Sequence, residues 1–180
     1  MKEKSKRLIR EYAESLLIAA ILALIIRTFI VTPFKIPTGS MEPTLMPGDK
    51  IFVNRFIYRI HPPRRGDVIV FRYPENPRRD FIKRLVAFEG ETTEIDNGKI
   101  VINGEIVDTP AIFQKIHYNN RGAYGKEGAQ ITVPRDCYFV LGDNTGSSRD
   151  SRYWGFVPRK LLLGEAFVIW WPPRRLGRIK

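Results

Sequence analysis

Leu16 to Ile26 contains no polar residue, so a helix there is apolar on every face rather than along one stripe. Extended from Tyr12 to Val31, the segment has about 20 residues and about 30 Å of helix, the thickness of a bilayer's hydrocarbon core. Glu14 and Arg27 lie near its ends, where long side chains reach the headgroups. Lys2, Lys4, Lys6, Arg7 and Arg10 precede it, and basic flanks stay cytoplasmic. The expected organisation is a cytoplasmic basic N-terminus (1–11), a transmembrane anchor helix (12–32) and an extracytoplasmic remainder (33–180). A cleaved leader is the competing reading, because a charged start and a short apolar core suit one and Thr38-Gly39-Ser40 has a small-x-small pattern. The bulky, basic interval from Arg27 to Ile36 favours a retained anchor.

Lysine and arginine total 30 against 19 acids, a net charge of +11. That balance points to an anionic partner, either nucleic acid or a membrane surface. No helix-turn-helix, zinc-ligand or RNP-type pattern occurs, so membrane lipid is the expected partner and nucleic acid is not. Neither a phosphate-loop nor a His-Glu-x-x-His pattern is present, and no cofactor or metal is expected. The single cysteine, Cys137, opens the apolar run to Leu141 and reads as core.

Beyond Pro33 helical periodicity largely disappears, and the chain reads as mainly β. Asp49 to Phe56 carries Ile51, Val53 and Phe56 among polar residues, as in a partly buried strand. Asp67 to Phe71 is a short apolar strand, closed by Tyr73-Pro74 and Pro77, with Arg78 and Arg79 as a solvated basic patch. Asn97-Gly98 and Asn103-Gly104 are hairpin signals. Arg121 to Gly128 reads as an exposed glycine-rich loop.

Three polar features stand out. Prolines 37 and 43 exclude helix or central strand from Ile36 to Leu45, so Ser40, behind Gly39, is presented on a rigid loop. In a strand from Asp80 to Phe88, alternation puts Phe81, Lys83, Leu85 and Ala87 on one face. Apolar neighbours lower a lysine's pKa, and a neutral amine can act as a general base. The plainer reading is a packed stem with its amine in water. Gly142 to Pro158 packs turn formers and alternating charges after an apolar strand; it reads as a surface loop with an exposed Asp150–Arg152 pair, or as a place where a site is built.

Together these stretches resemble bacterial type I signal peptidases. The resemblance rests on Ile36 to Leu45, on Gly66 to Phe71 followed by Phe81-Ile82-Lys83-Arg84, and on Gly142-Asp143-Asn144 with Ser148, Asp150-Ser151-Arg152, Trp154-Gly155 and Val157-Pro158. It implies a signal-peptidase-like β-sheet catalytic domain behind an N-terminal transmembrane helix. It also implies a membrane-bound serine endopeptidase that removes signal peptides from secretory preproteins. Ser40 would be the nucleophile and Lys83 the general base, with the oxyanion held by the Ser40 N–H and the Thr38 hydroxyl. Ser148 matches a serine that hydrogen-bonds the lysine amine, and Asp150 and Arg152 match supporting residues. Where Thr38 stands, many relatives have serine; its β-branched side chain is stiffer at χ1 but can still donate.

Two other classes stay in play. A Ser-His-Asp hydrolase would need His61 or His117 as base, and both lie in loop sequence. A non-catalytic, membrane-tethered β module binding anionic lipid or polymer explains the charge and anchor but not the pattern of Ser40, Lys83 and Ser148. A self-cleaving Ser/Lys repressor would need a DNA-binding domain where this chain has an apolar segment.

Overall fold

The computed structural model describes residues 11–21 and 31–179. Residues 11–21 form a helix whose side chains are all exposed, including Tyr12, Leu16, Leu17, Ile18 and Ile21. No described helix is long and apolar enough to cross a membrane. The rest of the expected anchor, 22–30, and all but one residue of the expected cytoplasmic segment lie outside the described residues.

The remainder is built on two antiparallel sheets. The first contains β1 (Val31–Lys35), β2 (Lys50–Asn54), β3 (Val68–Tyr73), β4 (Asn76–Phe88), β9 (Cys137–Leu141), β10 (Val157–Pro158), β11 (Leu162–Trp171) and β12 (Gly177–Arg178). Its order is β1-β2-β11-β3-β4-β9-β10, with β12 beside β11. The second has β5 (Thr92–Asp96), β6 (Lys99–Ile102), β7 (Glu105–Ile106) and β8 (Ile131–Thr132) in the order β7-β6-β5-β8. β1 already includes Val31 and Thr32, paired with Asn54 and Val53, so the sheet begins two residues inside the expected 12–32 segment. Pro33 is accommodated because β1 is an edge strand.

Each strand type follows from its sequence. β3 is apolar from Val68 to Phe71 because both its faces are covered there. Val68 and Val70 pack with Ile36, Met41, Leu45, Ile51 and Val53, while Ile69 and Phe71 pack with Leu85, Tyr138 and Val140. β2 buries only Ile51 and Val53, as alternation requires. The two Asn-Gly pairs make two-residue turns between Asp96 and Lys99 and between Ile102 and Glu105. All four turn residues have positive φ (47° and 76°, 53° and 84°), which Asn and Gly tolerate and β-branched residues do not.

Three expectations are corrected. β4 starts at Asn76, opposite Tyr73 of β3, so Pro77 lies within a strand, on an exposed stretch from Asn76 to Asp80. The Phe81–Lys83–Leu85–Ala87 face breaks at a register shift between Leu85 and Ala87, which sends Ala87 into the same cluster as Val86. Cys137, at the start of β9, is half-buried and packs against the margin of a core cluster rather than inside it. The Arg121 to Gly128 loop is exposed as expected except at Gly122 and Gly125; the Tyr124 N–H donates to the Arg152 carbonyl at 2.8 Å, and Gly125 is buried against the Arg152 side chain.

Candidate active site

Ser40 lies in the loop joining β1 to β2. The loop is closed at its base by Ile36 N–H donating to the Asp49 carbonyl and Gly48 N–H to the Ile36 carbonyl, both at 2.8 Å. Met41 and Leu45 are fully buried and form its floor. Each such side chain contributes about 1.5–3 kcal/mol of burial. From the other side, Asn144 donates its backbone N–H to the Ser40 carbonyl at 3.2 Å and its Nδ2 to the Gly39 carbonyl at 3.0 Å. The nucleophile candidate is thus gripped on both sides of its own peptide.

Lys83 projects from the middle of β4, opposite Ile69 of β3. Its Nζ is 2.7 Å from Ser40 Oγ and donates to the Ile82 carbonyl at 2.8 Å. The Phe81 ring, on the same face, lies 5.7 Å from Nζ. Only 3% of Lys83 is exposed, so the amine is not the solvated head of a packed stem. Loss of hydration pulls its pKa down to about 8; the Asp150 and Asp143 carboxylates oppose the shift and the Arg152 charge adds to it.

Thr38 Oγ1 stands 3.5 Å from Ser40 Oγ. Thr38 is exposed, so the serine hydroxyl lies between a buried amine and an exposed hydroxyl. The expected Ser148–Lys83 hydrogen bond is not formed: Ser148 Oγ is buried without a partner, and the amine's contacts are Ser40 and Ile82. Ser148 is nonetheless at the site, because a Cβ added at Gly142 would meet both its side chain and the Ser40 carbonyl oxygen.

Asp150 and Arg152 are both fully buried, which overturns the exposed-pair reading. Arg152 donates Nε to Asp150 Oδ1 and a terminal nitrogen to Oδ2, each at 2.8 Å. It also reaches the carbonyls of Asn119 and Thr145 at 2.9 Å. Asp150 caps the short helix Ser151–Trp154 by accepting from Arg152 N–H, and accepts from Gly142 N–H at 2.9 Å. The pair therefore folds the 142–152 loop around itself.

A second buried pair was not among the expected site residues. Arg84, the residue after Lys83, points to the other face of β4 and donates to Asp143 at 2.8 and 2.6 Å. It also donates to the Gly66 carbonyl at 2.6 Å. Asp143 accepts from Thr44 Oγ1 at 2.5 Å, which ties this pair to the serine loop. The available signal was an arginine followed by Leu85-Val86-Ala87 and an aspartate between Gly142 and Asn144: a charge in an apolar strand needs a partner. Neither histidine competes as a base. The His61 ring is hydrogen-bonded to the Pro62 carbonyl, and exposed His117 lies against Gly98.

A serine hydroxyl in contact with a desolvated amine, on a β scaffold, is the arrangement that a serine hydrolase with a lysine base requires. The chain belongs to the signal peptidase family, peptidase S26, whose family model matches residues 9–171. A protein of Synechocystis named probable signal peptidase I-2 is 40% identical over 172 residues, covering 93% of this chain and 75% of its own. Signal peptidase I of Leptolyngbya laminosa is 40% identical over 169 residues, 90% of this chain and 79% of that one. Signal peptidase I of Pseudomonas aeruginosa is 34% identical over 217 residues, 96% and 76% respectively. A solved signal peptidase I from Enterococcus faecalis overlaps 57% of this chain and 95% of that one at 36% identity and a TM-score of 0.46, too partial to bear on the fold.

Proposed function

We propose that this protein is a membrane-anchored signal peptidase that removes N-terminal signal peptides from secretory preproteins with Ser40 as nucleophile and Lys83 as general base. The carrying observation is the 2.7 Å contact between Ser40 Oγ and the buried Lys83 amine. A serine hydroxyl attacks only when a neighbour takes its proton, and an uncharged amine at hydrogen-bond distance does so. Ser40 Oγ bonds to the carbonyl carbon before the scissile bond while its proton passes to Nζ. The oxyanion is held by the Ser40 backbone N–H and the Thr38 hydroxyl. Collapse of the tetrahedral intermediate breaks the C–N bond, and Nζ returns the proton to the leaving amine. Water, deprotonated by the same amine, then hydrolyses the acyl-enzyme. Asp150 and Arg152 shape the loop behind Ser40 rather than touch the substrate.

The anchor runs from residue 12 to the start of β1 at Val31 and holds the catalytic domain that follows at the outer face of the membrane, with 1–11 cytoplasmic. Support comes from the apolar run itself and from the uncovered leucine and isoleucine side chains of residues 11–21. Trp171 is exposed beside Lys50, whose amine lies 5.6 Å from its ring, a pairing suited to a headgroup layer.

The test is incubation of a secretory preprotein with the wild type, Ser40→Ala and Lys83→Ala. Both variants are expected to leave the preprotein intact, and correctly positioned cleavage by either defeats the assignment.

A further inference from the structure

The chain's last segment doubles back onto the serine loop. After β11, the turn Pro173–Arg175 leads into β12, which sets Arg178 opposite Val168 and Gly177 opposite Ile169. Ile179 N–H donates to the Phe167 carbonyl at 3.0 Å, and Ile179 packs against the cluster that contains Met41 and Leu45. This return anchors Arg175 on both sides.

The Arg175 guanidinium then grips two points of the serine loop. Its Nε lies 3.0 and 3.1 Å from the two Asp49 carboxylate oxygens, and a terminal nitrogen donates to the Thr44 carbonyl at 3.0 Å. Asp49 is 2% exposed, takes the Met46 N–H at 2.8 Å and offers its own carbonyl to Ile36 at the loop's base. Thr44 in turn donates its hydroxyl to Asp143, whose neighbour Asn144 holds the Gly39 and Ser40 carbonyls. Asp143 also bonds Arg84, the residue beside Lys83. One polar chain thus runs from the C-terminal turn to the flanks of both dyad residues. A planar guanidinium can hold a carboxylate and a carbonyl at once, whereas a lysine ammonium acts as a point charge.

We propose that Arg175 is a positioning residue for peptide-bond cleavage: delivered by the C-terminal turn, it fixes Thr44 and Asp49 and so sets the approach of Ser40 to Lys83. The inference rests on the Ser40/Lys83 reading above.

The test measures kcat, KM, pH profile and melting temperature of the full-length, membrane-reconstituted protein on a preprotein substrate. The variants are Arg175→Gln, Arg175→Lys, the double change Arg175→Gln with Asp49→Asn, and Ser40→Ala. Arg175→Gln should lower kcat by about tenfold with KM nearly unchanged, the signature of misplaced reacting groups. Arg175→Lys, which keeps the charge, should lose less and still move the acid limb of the profile to higher pH, because a loosened loop admits water to the amine. The double variant, with no unpaired buried carboxylate, should regain melting temperature without regaining kcat. Wild-type kcat and pH profile in Arg175→Gln overturn the proposal. So does a loss of activity restored together with melting temperature in the double variant, which marks a merely structural arginine. Cleavage that survives Ser40→Ala overturns the functional reading and this inference together.

Discussion

Lys83 Nζ meets Ser40 Oγ at 2.7 Å from a position where the lysine is almost wholly withdrawn from water. The contact joins a loop before β2 to the middle of β4, and its chemistry depends on the amine's charge.

Cleavage should therefore follow the deprotonation of one amine. With its pKa pulled from 10.5 down to about 8 by burial, Lys83 is mostly charged at neutral pH and mostly neutral above 8. The expected kcat/KM rises with pH along an acid limb centred near about 8 and then levels. An acid limb near that of a free lysine would show that the amine is hydrated when it works.

The same shift predicts a stability cost. Below pH 8 the ammonium is charged in both states, and the folded protein carries it buried. Between 8 and 10.5 the unfolded chain binds the proton and the folded chain does not, so stability rises with pH across that window. The difference of 2.5 units (10.5 minus 8) corresponds to about 3 kcal/mol. Lys83→Met should thus be inactive yet more stable than wild type at pH 7, with the gap closing toward pH 10.5. Denaturant melts at the two pH values check this.

Breaking the Arg84–Asp143 pair should be severe. Both side chains are buried, and removing one partner strands a charge at about 3–5 kcal/mol. Asp143→Asn should unfold at markedly lower denaturant and lose activity. The joint replacement Arg84→Met with Asp143→Leu should recover most of the stability, since apolar residues can replace a buried ion pair. Activity should stay low, because Thr44 has then lost its acceptor. Full activity in the joint variant would mean that the pair only fills space.

Gly142→Ala should damage catalysis without touching a reacting group. A Cβ there would come within 2.5 Å of the Ser40 backbone oxygen and would also strike Ser148. The serine peptide must shift, and a misplacement approaching 1 Å costs about 100-fold in rate. Single-turnover cleavage measured beside circular dichroism separates that effect from unfolding.

Much of this was readable in the sequence wherever a residue's local needs are unambiguous. The Asn-Gly pairs announce positive φ and hence two-residue turns. Val68 to Phe71 announces a strand covered on both faces. Two prolines around Ser40 announce a rigid loop, whereas the neighbours of Lys83 alone favour a packed stem with its amine in water, and only the fold shows the amine to be dry. What escaped depends on contacts between distant residues. Arg84 meets Asp143 across 59 positions, and Arg175 meets Asp49 across 126. Nothing local says which charge goes with which. The register shift after Leu85 likewise arises from the pairing of β4 with β9 rather than from β4 alone. The Ser148 hydroxyl shows the same limit: its place in the chain was legible, but its rotamer and hydrogen bonding were not.

The order β2-β11-β3-β4 has a consequence for biosynthesis. β2, which follows the serine loop, and β3, which pairs with the lysine strand, are not neighbours; the late strand β11 separates them and hydrogen-bonds to both. A nascent chain with β11 still in the ribosome has Ser40 and Lys83 already translated but lacks the strand that pairs with both β2 and β3. The arrangement of the two side chains is therefore complete only once β11 has emerged and inserted between β2 and β3.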